Sequence, residues 1–135
     1  MVRYNVSSHD SKKYFVWLEK AKDDLKAAEL LLASEETSEM AAFHCQQCIE
    51  KALKGYLLFV THFNVDGHNL TYLCRQAIKY DAHFTQWLEE STVLNKFYIE
   101  TRYPADIPLE IKSDYVKTVY KIAEDMYNFI CSEVK

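Results

Sequence analysis

At 135 residues and 15.9 kDa, the chain is long enough for one domain and too short for two ordinary ones. Hydrophobic residues make up 49% and charged residues 27%, which supports a core and excludes global disorder. A net charge of −4 argues against coating nucleic acid by bulk charge. Two glycines and two prolines, against the roughly 12% of an average chain, cannot supply the turns of a β-sandwich, a barrel or a glycine-rich phosphate loop.

Residues 1–10 are polar and unpatterned and read as a flexible N-terminal arm, with no apolar run of a secretory signal. Residues 11–135 read as a single helical domain. From Ser11 onward, Tyr14, Leu18, Ala21, Leu25, Ala28 and Leu32 recur at spacings of four and three. This predicts a long amphipathic helix that ends near Ser34 and Glu35. Thr37 or Ser38 caps the next helix, which runs to about Thr61. Its buried stripe is Ala41, Cys45, Cys48, Ala52 and Tyr56, widened by Ala42, Ile49, Leu53 and Leu57. The Asp66–Gly67 pair breaks the chain, and His68 or Asn69 starts a short third helix carrying Leu70, Leu73, Ala77 and Ile78.

A break near Asp81–His83 precedes a fourth helix with Phe84, Ser91, Leu94 and Tyr98 on one face. It must stop by Tyr103, because the residue before Pro104 is pushed out of the α region. Both prolines lie between Arg102 and Leu109, the longest irregular loop. The last helix starts near Ile111–Ser113 with two adjacent stripes: Tyr115, Val119, Ile122, Met126 and Phe129, and Val116, Tyr120, Ala123, Tyr127 and Ile130. Two stripes imply either deeper burial or a dimer seam. The fold class is all-α, an antiparallel up-and-down bundle of four to five helices. The longest apolar stretch, near Tyr56–Val60, falls far short of the ~20 residues of a membrane span, so a cytoplasmic protein with no membrane association is expected.

Cys45 and Cys48 have a C-x-x-C spacing, but they fall mid-helix on the buried stripe. His44, His62, His68 and Cys74 offer no recognised second ligand pair, and no βαβ context supports a redox motif. The cysteines therefore read as reduced core residues, with no metal and no cofactor expected. The polar side of the second helix carries Gln47, Glu50, Lys51 and Lys54 within roughly a 100° arc. One account is a solvated face with a Glu50–Lys54 pair contributing ~0.3–0.5 kcal/mol. The other is an anion site, with two lysines for phosphate and an amide and carboxylate for a base or ribose. Arg102 either complements a helix C-terminal dipole or holds a phosphate with its two-pronged guanidinium. Tyr103 either packs or stacks, and His68 either opens a helix or joins the site.

The run from Ala42 to Lys54, with Gln47-x-x-Glu50-Lys51-Ala52-Leu53-Lys54 inside it, resembles the Q-x-x-E-K-A-L-K signature of HEPN domains. So do the opening Trp17–Leu25, the His68-x-Leu70 step and Arg102-Tyr103-Pro104, in order from about Tyr14 to Val134. The resemblance implies an up-and-down helical bundle that commonly dimerises. It also implies a nucleotide or RNA ligand and, for small stand-alone members, a minimal nucleotidyltransferase partner in a toxin–antitoxin-like pair. A ribonuclease branch of the family uses Arg-x(4–6)-His near the end of the penultimate core helix. This sequence departs from that pattern, with Ile107, Pro108 and Leu109 where the histidine would stand. Arg75 and His83, with seven residues between them, sit on a different helix.

The expected function is therefore a homodimeric nucleotide- or phosphate-binding module with no catalytic residues. Lys51, Lys54 and Arg102 hold phosphate, while Gln47, Glu50, His68 and Tyr103 shape the rest of the site. Two other readings stand beside it. One is a metal-independent ribonuclease that uses Arg102 with a histidine distant in sequence, such as His68. The other is a pure protein–protein module whose polar stripe meets only a partner.

Overall fold

The computed structural model describes residues 13–98 and 112–135. The N-terminal arm and the proline-bearing loop expected from the sequence lie outside those residues. Five α-helices are described: α1 (Tyr14–Leu31), α2 (Ser38–Thr61), α3 (Leu70–Ile78), α4 (Leu88–Asn95) and α5 (Ser113–Glu133). Two 3-10 turns, Glu35–Thr37 and Ala82–Trp87, lead into α2 and α4. No strand occurs among the described residues, so the all-α bundle read from periodicity holds. No described helix is long and apolar enough to cross a membrane.

α2 is the central element and packs against α1, α3, α4 and α5. Fourteen of its 24 residues are buried, which explains why its apolar stripe is so wide. α1 approaches it through small residues, with Ala21 and Ala28 fully buried beside Leu25. The approach is tightest at Gly55, where an added Cβ would lie 3.1 Å from the Tyr14 carbonyl and 3.1 Å from the Trp17 Cβ. The Tyr14 ring meets Phe59 edge-on at 4.9 Å and closes that end of the pair. α5 completes the core with Val116, Val119, Ala123, Met126, Tyr127 and Ile130. Its direction follows from two contacts: Ser113 bonds Glu35 beyond the end of α1, and the Tyr127 hydroxyl donates to the Leu18 carbonyl near its start. α5 thus runs antiparallel to α1.

Several boundaries differ from the sequence expectation, each for a local reason. α1 stops at Leu31, short of Ser34, because Thr37 Oγ1 reaches back to the Leu31 carbonyl. The cap in this corner is Ser34, which accepts from the Glu36 N–H and starts the 3-10 turn; Thr37 makes no side-chain cap for α2. α2 ends at Thr61 and is capped by His62, whose φ of 67° is left-handed and whose N–H bonds the Leu58 carbonyl. Asn69 caps α3 by accepting from the Tyr72 N–H. The expected fourth helix is split: Asp81 accepts from the His83 N–H and sets up the 3-10 turn before α4 begins. Asn95 at the end of α4 accepts from the Leu70 N–H at 2.8 Å, which locks α4 to the start of α3. The two stripes of α5 merge into one wide core face, leaving Tyr115 exposed and Tyr120, Ile122 and Phe129 half-buried.

The Gly55 contact makes a direct test of helix spacing. Gly55→Val would gain helix propensity but crowd the Tyr14 carbonyl and the Trp17 and Leu18 side chains of α1. Overpacking costs of about 1–3 kcal/mol exceed the roughly 0.5 kcal/mol that exchanging glycine for valine returns. A lower urea midpoint with an unchanged slope is expected.

Candidate functional site

The helical turn of 100° per residue places Gln46, Glu50 and Lys54 in line along α2 at successive i,i+4 positions. This line does not face solvent. Gln46 is fully buried and the Glu50 side chain is only 7% exposed, so its carboxylate requires partners. It has three. Lys54 Nζ donates to Glu50 Oε2 at 3.0 Å, His68 Nδ1 meets the same oxygen at 2.9 Å, and Gln46 Nε2 donates to Oε1 at 3.2 Å. Gln46 also donates to the His68 carbonyl at 3.4 Å, so the connector after α2 is folded back against the middle of the helix. The His68 ring stacks on Tyr98, with centroids 4.5 Å apart and planes 14° apart. Half of its side chain remains exposed.

A second carboxylate lies nearby. Asp24 of α1, 11% exposed, accepts from Lys51 Nζ at 2.6 Å and meets His44 Nδ1 at 2.8 Å. Gln47 Nε2 donates to Gln46 Oε1 at 2.8 Å and so attaches to the Glu50 group. Lys54 Nζ also sits 5.8 Å over the Trp17 ring of α1. Each lysine is thus held by an acid, and the described part of the site is close to charge-balanced.

The structure therefore brings Gln47, Glu50, Lys54 and His68 into one network through Gln46, and holds Lys51 in a second cluster with Asp24 and His44. Arg102 and Tyr103 lie outside the described residues. The solvated-face account of this stripe is corrected, because Glu50 pairs with Lys54 inside the fold. Sequence patterning does not single out Asp24, His44, Gln46, Trp17 and Tyr98 as members of the site. Adjacency to a buried stripe carries no signal for them, since Trp17 beside Leu18 and His44 beside Cys45 share it with Asp24 and Gln46.

Cys45, Cys48 and Cys74 are free and fully buried, and Cys131 is free and half-buried. Burial pushes the Cys45 thiol up to about 12 and holds Cys48 and Cys74 above the ordinary thiol value. Burial also raises Tyr56 to about 12, reinforced by Asp81 and Glu133.

The family model described as the HEPN domain matches residues 14–134. Among solved structures, the chain is similar to TT1696 from Thermus thermophilus. The identity is 27% and the TM-score 0.77, over 89% of this chain and 97% of that one. It is also similar to ST0689, described as an archaeal HEPN homologue, at 26% identity and a TM-score of 0.72, over 90% of this chain and 98% of that one. No curated protein matches it.

Glu50→Ala strands a nearly buried ammonium and a buried amide and should cost about 2–3 kcal/mol. Lys54→Ala leaves Glu50 with two donors and should cost only about 1 kcal/mol; urea unfolding of the two variants measures the difference. The raised thiols and Tyr56 stay protonated in the folded protein while the thiols of the unfolded chain begin to ionise near pH 9. Their contribution is complete below pH 9 and is lost as pH rises toward about 12, so alkaline titration should lower the melting temperature over that window. At about pH 8, below the ordinary thiol value, the native protein should react quickly with a thiol reagent at Cys131 alone, and at all four cysteines once denatured.

Proposed function

The chain belongs to the HEPN domain family, and from that premise we propose that it is a nucleotide- or phosphate-binding helical module of the family. It works as a homodimer and with a minimal nucleotidyltransferase as its partner. The observation that carries the binding reading is the carboxylate of Glu50. It gathers donors from α2 and from the connector and orders them around one nearly buried point beneath the half-exposed His68. Each lysine ammonium has three N–H bonds, so Lys51 and Lys54 keep donors for a phosphate after satisfying Asp24 and Glu50. The stacked His68–Tyr98 pair offers a flat edge for a base or ribose. Because the acids balance the lysines, the excess positive charge that attracts an anion must come from Arg102. Gln47 and Tyr103 complete the contacts.

One observation favours a second reading, the metal-independent ribonuclease. Glu50 holds His68 by Nδ1, which leaves Nε2 as the ring nitrogen of a half-exposed side chain. A carboxylate that orients an imidazole in this way supports general acid–base chemistry.

A melting-shift panel of nucleotides tests the binding reading, since a ligand at about 100 times its Kd adds ~2.7 kcal/mol of stability. At least one nucleotide should raise the melting temperature. Arg102→Lys should then keep the unliganded melting temperature and lose roughly tenfold or more in affinity, the order of a hydrogen bond to a charged group. Equal affinity in the two proteins would reduce Arg102 to a structural residue. Cleavage of a generic RNA by the purified protein, abolished by His68→Ala, would establish the second reading instead.

A further inference from the structure

We propose a binding site for a basic amino acid in the groove between α3 and α4. The groove encloses about 500 Å³, within the size range of small-molecule sites, and shares no residue with the Glu50 or Asp24 clusters. Its walls are fixed before any ligand arrives. Asn95 accepts from the Leu70 N–H at 2.8 Å, and the Thr71 and Thr92 hydroxyls meet at 3.1 Å across the two helices. That contact sets the register of the pair. One turn further along α3 and one turn back along α4 bring Arg75 and Glu89 to opposite walls of the same space. Gln86, on the 3-10 turn that leads into α4, continues the wall on the Glu89 side.

The charges that line this groove do not neutralise one another. Among the described residues, Arg75 on the α3 wall makes no ion pair with Glu89 or Glu90 on the α4 wall, although all three line one cavity. Glu90 Oε1 is sealed from solvent and, among the described residues, has no hydrogen-bond partner, a state that buried polar atoms rarely hold. The terminal torsion of a glutamate is broad, so a turn of the carboxylate presents that oxygen to the cavity. The space between the walls suits a ligand that carries both charges. A carboxylate fits the two-pronged guanidinium of Arg75, and an ammonium supplies the donors that the glutamates lack. An α-amino acid holds the two groups on one carbon. Two carboxylates face one guanidinium, so a second cation on the ligand side chain is favoured and an acidic side chain is repelled. The Gln86 amide and the paired threonine hydroxyls offer further polar contacts to the remainder of the ligand.

The test is a titration of L-lysine into the full chain at constant ionic strength, followed by amide proton–nitrogen correlation spectra. L-Lysine should shift the amides of Thr71, Arg75 and Glu89 saturably. Cadaverine, which is lysine without its carboxylate, and L-glutamate, whose side chain has the opposite charge, should each bind roughly tenfold or more weakly. Arg75→Gln should weaken L-lysine by a similar factor and leave cadaverine unchanged, which separates loss of the carboxylate contact from loss of the groove. Glu89→Gln should weaken both ligands. Lys121→Gln, on the exposed side of α5, should bind L-lysine as the parent does. No saturable shift at a large molar excess of L-lysine would overturn the site. So would cadaverine binding as tightly as L-lysine, or an Arg75→Gln variant that binds L-lysine as the parent does.

Discussion

A carboxylate buried on a central helix constrains everything around it. Glu50 lies on the most enclosed element of the bundle, where an unpaired charge would cost several kcal/mol. The cost is avoided only if donors come to it, and α2 by itself supplies Gln46 and Lys54. The remaining donor is His68, which cannot reach Glu50 unless the connector turns back along α2. The left-handed residue His62 and the cap at Asn69 bracket that return. The position of α3 is therefore tied to the satisfaction of one side chain.

The same arrangement explains why the site is rigid on one side and open on the other. Asp24 and Lys51 join α1 to α2 across an interface of alanines and Gly55, where there is little freedom to adjust. His68 and Tyr98 stand at the rim, outside any helix. A fixed inner layer of carboxylates and amides thus underlies a more adaptable outer layer of ring and ammonium groups. Preorganisation of this kind reduces the ordering cost of binding.

Much of this is legible in the sequence, and the residues show where legibility ends. The 3.6-residue period locates α1, α2 and α5 because their cores are built from residues three and four apart. Glu50 and Lys54 are readable as a pair for the same reason. Asp24 with Lys51, and His68 with Glu50, are contacts between separate elements, and no periodicity encodes them. The burial of Gln46 and Glu50 escapes a sequence reading because polar side chains are counted as outward-facing by default, whereas here they face each other. The split between the 3-10 turn and α4 turns on one capping aspartate, a feature too local for an eight-residue helix to announce.

The folded-back connector also divides the molecule into parts of different lifetime. α1 and α2 are joined along their length by fully buried side chains, so their amides should open only with the whole domain. Residues 62–69 are largely exposed, and the bonds of His68 and Asn69 are what hold them in place. Their opening is a local event of lower free energy. In hydrogen-exchange terms, the inner layer of the site should belong to the slowest-exchanging unit and its rim to one of the fastest. Solvent can therefore come and go at His68 many times within a single global unfolding interval.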